Sequence, residues 1–169
     1  IDQEAGIGYI KLTGFDQQTA TDLQYAMRDM RESRVLNGLI LDLRYNPGGL
    51  LDLAAFVSNL FVPRGEIVSG IDRNGNRTFS LPARSHGCLL GGLPTVVLIN
   101  RGSASASEIV AGCLQAYEAA VVLGERSFGK GSVQTVHNIG DEARIKVTNQ
   151  YYRLPSTDGL TAGRLVHKR

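Results

Sequence analysis

The chain has 169 residues, 43% of them hydrophobic and 20% charged, with a formal net charge of +2. That length and balance suit one compact globular domain with a sizeable core. A charge so close to zero excludes strong electrostatic capture of nucleic acid, and no apolar run approaches the roughly 18–20 residues that a membrane-spanning helix needs.

The chain opens in mid-pattern on "IDQEAGIGYIKL", with no start methionine and no signal peptide. We therefore expect a piece of something longer, with any targeting signal outside it. "GIGYIKLTGF" reads as a first strand. Residues 16–34 place Ala20, Leu23, Met27 and Met30 at helical spacing behind Asp16 as N-cap, which predicts an amphipathic helix covering a sheet. Leu39 to Leu43 is a continuous apolar run ending in "NPGG", the pattern of a strand buried on both faces in a parallel sheet.

"LLDLAAFVSNLF" follows as a helix that "PRG" stops, and "EIVSGIDRNGNRTFSL" as a hairpin turning at Asn74-Gly75. "LPTVVLIN" is another buried strand, "ASEIVAGCLQAYEA" a helix, "AVVLGE" a short strand and "RSFGKGS" a loop. "VQTVHNIG" and "ARIKVTNQYYRL" close the chain as an antiparallel pair, before a basic "RLVHKR" end that reads as a frayed terminus. Strand, turn and helix recur without a long linker, so the chain is one α/β domain. The two cysteines, Cys88 and Cys113, are too few and too far apart for a disulfide framework or a zinc site. Cys113 falls in an apolar helical pattern and reads as core.

The "NPGG" and "RGSASAS" turns each follow a buried strand and open a helix, which is where open α/β sheets build their sites. "GERSFGK", Gly124 to Lys130, matches most of a phosphate-binding loop. Position 131 is Gly where that loop needs a magnesium-binding hydroxyl, and the next residues are β-formers rather than a helix. Nucleotide binding is therefore not expected. Taken alone, Gly129 and Gly131 around Lys130 read as shaping a turn that leaves the lysine solvated; alternatively they let the backbone bend so that it points inward. A lysine drawn into an apolar site loses its proton readily and can serve as a base.

Three serines, Ser103, Ser105 and Ser107, alternate with alanines at the predicted start of a helix. A serine there lies beside free backbone N–H groups able to stabilise an oxyanion. The glycines of "NPGG" allow a second donor to approach. Serine, lysine and a two-sided oxyanion hole compose an acyl-transfer site. A histidine triad is a poor rival: His86, His137 and His167 are available, but no G-x-S-x-G elbow surrounds any serine. If residues 133–138 form a strand, His137 and Gln134 lie on opposite faces.

Through "GYIKL", "GLILDLRYNPGGLL", "VVLINRGSASASEIVAG", "GERSFGKGSVQTV" and "VTNQYYRLP" the chain resembles the carboxyl-terminal processing peptidases, or tail-specific proteases, of serine peptidase family S41. The resemblance implies a crotonase/ClpP-like fold of repeated β-β-α units, with residues 1–169 as a catalytic core. It implies Ser105 as nucleophile, Lys130 as general base, Gln134 as the group orienting the lysine, and the N–H groups of Ala106 and Gly49 as oxyanion donors. Ser103 and Ser107 match positions that shape the turn; read by themselves they are helix-capping hydroxyls.

The implied reaction is cleavage of polypeptides near their C-termini with no metal or cofactor, in a bacterial cell envelope or periplasm. A PDZ domain usually precedes such a core and is absent from these residues, so a PDZ domain or oligomer partner is expected outside the chain. "YYRLPSTDG" departs from the usual "YYTPSG", and the usual "G-I-x-P-D" stretch is missing. Retinoid-binding relatives of the family make a non-catalytic ligand- or peptide-binding module on the same fold the alternative.

Overall fold

The computed structural model describes residues 4–33, 35–139, 143–156 and 163–166. His167, the end of the basic terminus and most of the "STDG" stretch lie outside the described residues. In chain order the elements are β1 (Ile7–Lys11), α1 (Gln17–Ser33), β2 (Gly38–Asp42), α2 (Leu51–Asn59), β3 (Glu66–Ile71), β4 (Arg77–Pro82), β5 (Thr95–Ile99), α3 (Ala106–Ala116), β6 (Val121–Gly124), β7 (Ser132–Ile139) and β8 (Ala143–Arg153). A single 3-10 turn over Ser85–Gly87 joins β4 to β5.

Strands β1, β2, β5 and β6 pair in that order, every pair parallel. The apolar run predicted to be buried on both faces is the inner strand β2: Leu39 and Leu41 on one face are almost fully covered, while Ile40 on the other is half-buried. Met27 and Leu23 of α1 face inward as the helical spacing predicts. Asp16 caps that helix, its Oδ1 accepting from the N–H groups of Gln18 and Thr19. Ala54 and Val57 of α2 and Ile109, Val110, Cys113 and Leu114 of α3 complete the core. Cys113 and Cys88 are both free thiols, and burial pushes the Cys113 thiol up to about 12.

The first strand stops at Lys11, short of the expected span. Beyond it the chain crosses over, and Phe15 makes a lone parallel bridge to Gly49. The two hairpins are both present. Strand periodicity did not reveal that they join: β3 pairs antiparallel with β8, giving a second sheet in the order β4-β3-β8-β7. Asn74-Gly75 forms the first hairpin's turn, with Gly75 at φ 83° and Asp72 Oδ1 accepting from Asn74 and Asn76.

Because the first sheet is parallel, the loops after β2, β5 and β6 all leave its C-terminal edge. Asn46, completely buried, ties that edge together. Its Nδ2 donates to the Leu12 carbonyl (2.8 Å) and its Oδ1 accepts from Gly48 N–H (2.9 Å). Its own carbonyl accepts from Ala104 N–H (3.0 Å) and from the Ser107 hydroxyl (2.9 Å). The Asn46→Ala variant strands the Leu12 carbonyl and the Gly48 amide. Each buried unpaired group costs about 1–3 kcal/mol, so urea unfolding of this variant should show a loss of about 2–4 kcal/mol.

Asp42 closes β2 with a bidentate pair to Arg44 (Nε–Oδ1 2.9 Å, Nη2–Oδ2 2.7 Å) and accepts from the Tyr9 hydroxyl at 2.6 Å. Chiefly through the Arg44 hydrogen bonds, its carboxyl is held well below the usual carboxylate range. The ion pair therefore stabilises the fold fully above about pH 4, and that contribution is lost as pH falls toward the folded-state value. Chemical denaturation from pH 7 down to pH 3 should record a decline in stability that is shallower in Arg44→Gln.

Candidate active site

The three serines of "SASAS" have different surroundings. Ser103 is fully buried; its hydroxyl donates to the Leu43 carbonyl (2.8 Å) and accepts from Asn100 N–H (3.0 Å). Ser107 is fully buried and donates to the Asn46 carbonyl. Both hydroxyls stitch this turn to the loop after β2 rather than cap α3. Ser105 is the one left partly accessible. It is the N-cap residue of α3, and its backbone stands at φ 55°, ψ −113°. A non-glycine residue there is strained, and such strain persists only where the surroundings enforce it.

The turn after β2 supplies part of that enforcement. A Cβ on Gly48 would lie 2.8 Å from the Ser105 Cβ and 2.9 Å from the Ala106 nitrogen, so only glycine permits the approach. The Gly48 amide is spent on Asn46 Oδ1. The amides of Gly49 and Ala106 have no hydrogen-bond partner among the described residues. Ala106 follows Ser105 directly and Gly49 follows the glycine packed against it, and unspent amides of this kind are able to stabilise an oxyanion.

Sequence reading passed over Glu108, three residues after Ser105. It is buried, with 7% of its surface exposed. Its Oε2 accepts from the N–H of Ser105 (2.9 Å) and of Lys130 (2.8 Å). Its Oε1 accepts from the Ser127 hydroxyl and from Gly129 N–H, both at 2.7 Å. The backbone nitrogens of Ser105 and Lys130 are thus no farther apart than two hydrogen bonds laid end to end. The available signal was the Ser-x-x-Glu spacing of a capping box, whose glutamate reaches back to the N-cap amide.

The lysine itself corrects an expectation. Lys130 is exposed rather than drawn inward, and no hydrogen bond joins its side chain to Ser105. Gln134 is exposed on β7 and donates to Thr148 Oγ1 at 3.2 Å, not to Lys130. The loop from Gly124 to Lys130 leads into a strand, so it lacks the helix N-terminus that a phosphate loop requires. His86 and His137 are exposed, His137 on the face of β7 opposite Gln134. Among the described residues no group of three His, Cys, Asp or Glu side chains is placed to hold a metal ion.

A parallel sheet with a strained serine at its C-terminal edge, beside unspent amides, is a hydrolase-type arrangement. Residues 6–165 match peptidase family S41, and the chain belongs to that family. It is 46% identical over 157 residues to the carboxy-terminal-processing protease of Bartonella bacilliformis, covering 90% of this chain and 36% of that one. It is 37% identical to the carboxy-terminal processing protease CtpA of Bacillus subtilis, covering 99% of this chain and 34% of that one. Among solved structures, a photosystem II D1 C-terminal processing protease superposes with a TM-score of 0.84 at 35% identity, over 95% of this chain and 39% of that one. The chain thus spans about a third of the length of these relatives.

The Glu108→Gln variant keeps one acceptor oxygen and turns an NH2 group toward N–H or O–H donors. Charge-assisted hydrogen bonds contribute about 1.5–3 kcal/mol each. We expect a stability loss of about 2–4 kcal/mol, together with faster hydrogen exchange at the Ser105, Gly129 and Lys130 amides, measured by NMR.

Proposed function

We propose that this chain is the catalytic core of a serine endopeptidase working through a Ser105/Lys130 dyad. The observation that carries the reading is Ser105 itself: the one accessible hydroxyl of the three, on a strained N-cap beside two unspent amides. In the reaction, Lys130 as free amine takes the Ser105 proton and Ser105 Oγ attacks a peptide carbonyl. The Ala106 and Gly49 amides hold the oxyanion. Lys130 then passes the proton to the leaving amine and activates the water that releases the acyl-enzyme. Gln134 orients the lysine.

Assembly of the dyad requires the Lys130 side chain to swing inward and Gln134 to exchange Thr148 for it. The backbone of Lys130 is already held beside Ser105 by Glu108, at a separation a four-carbon stem spans. The names of the relatives support polypeptides cut near their C-termini as the substrate class of the whole protein. The site as proposed uses no metal or cofactor. We further propose that residues 1–169 form one domain of crotonase/ClpP-like descent. The repeated strand–loop–helix passes β2-α2 and β5-α3 support that ancestry. In the whole protein a PDZ domain or oligomer partner would accompany the core, in a bacterial cell envelope or periplasm.

The alternative, a peptide-binding module without turnover, gains from the exposed lysine and its missing bond to Ser105. A fluorophosphonate probe separates the two. A competent site gains the probe's mass on the peptide containing Ser105. Labelling should vanish in Ser105→Ala and slow by roughly 100-fold or more in Lys130→Ala. Peptide binding with no labelling, in this chain and in the longer protein, would replace the peptidase reading with the binding one.

A further inference from the structure

Behind the Glu108 clamp lies a cavity of about 750 Å³ that the proposed chemistry does not use. It runs along the stripe of α3 that carries Glu108, Gly112 and Gln115. Three arginines line it: Arg126 from the loop after β6, Arg153 at the end of β8, and Arg164 from the 163–166 segment. None of them makes an ion pair with a carboxylate among the described residues. Arg164 Nη2 reaches only the Gln115 side-chain oxygen, at 3.4 Å. Arg153 Nε is buried with no hydrogen-bond partner among the described residues. The carboxylate in the cavity wall, Glu108, has both oxygens filled by its four donors.

Three positive charges around one half-open cavity repel each other, and a buried guanidinium N–H without an acceptor is costly. An anion relieves both. The planar guanidinium fork matches a carboxylate in bidentate fashion. The remaining wall includes Ile99, Val122 and Leu154, which a small inorganic anion would leave unfilled. A carboxylate carried on a peptide meets both the charged and the aliphatic parts of the lining.

We propose that this cavity is a carboxylate-binding subsite for polypeptide, held by Arg126, Arg153 and Arg164. The carboxylate comes either from a peptide C-terminus or from an acidic side chain. The choice of a peptide as carrier rests on the peptidase reading; the demand for an anion does not. Ser127 and Gly129 line the same cavity and bond to Glu108. An occupant therefore braces the loop that carries Lys130.

The test measures binding to the Ser105→Ala chain, which needs no turnover, by fluorescence anisotropy. Three labelled octapeptides of alanine and leucine serve as probes: one with a free C-terminus, one amidated, and one amidated with an internal glutamate. The expected result is binding of the first, the third or both, which identifies the source, and no binding of the neutral amidated peptide. Arg126→Gln and Arg164→Gln alter exposed residues, and circular dichroism checks their fold; each should raise Kd about tenfold, as the loss of one charge-assisted contact predicts. Equal binding of the neutral peptide, no binding of any probe, no response to either variant, or displacement by equimolar inorganic phosphate would each overturn the proposal. None of these outcomes touches the labelling of Ser105 by the fluorophosphonate.

Discussion

Burying a carboxylate costs several kcal/mol unless its lone pairs are met, and Glu108 meets that demand with four donors, none of them a charged side chain. One donor comes from Ser105 and three come from the loop before β7. The carboxylate can be satisfied only when that loop lies against the start of α3. The desolvation of a single side chain thus sets the position of the lysine backbone relative to the serine. Its place in the first turn of α3 adds the favourable field of the helix N-terminus. The closeness of the Ser105 and Lys130 backbones rests on this contact.

The rest of the edge is fastened in the same way, by small polar side chains that reach backbone amides and carbonyls. Asn46 holds the end of β1, its own turn and the serine turn. Ser103 bonds the residue after β2. Asn100 Oδ1 accepts from both Tyr45 and Gly102 amides. These short side chains lose little rotamer entropy and satisfy buried backbone groups that a regular ladder no longer reaches. The strain at Ser105 is stored against this network and against Gly48.

Rigidity is unequal across the site. Ser105 and the Gly49 amide sit on loops locked to the parallel sheet, and the Ala106 amide opens the buried helix α3. Gln134 sits on the β7–β8 hairpin, most of which is solvent-exposed, including Ile139, Ile145 and Val147 on one of its faces. A hairpin with so little buried apolar surface has little local stability. The lysine stands between the two regimes, its backbone anchored by Glu108 and its side chain in solvent. That division accounts physically for a fixed Ser105 turn beside a lysine whose side chain is free in solvent.

The sequence alone determined the elements and their order. The unbroken apolar run of β2, the helical spacing of Ala20, Leu23, Met27 and Met30, and Asn74-Gly75 each carry a local signal, because periodicity and turn chemistry act over a few residues. It also singled out the serine turn, since a row of small residues after a buried strand is poor core filling. Tertiary structure decided what depends on distant partners. Which of three equivalent-looking serines is accessible depends on carbonyls of Leu43 and Asn46, some sixty residues away. The joining of the two hairpins through β3 and β8 depends on a pairing without any local mark. The direction of Lys130 and the clamping role of Glu108 are likewise matters of burial, and burial belongs to the folded chain rather than to any stretch of it.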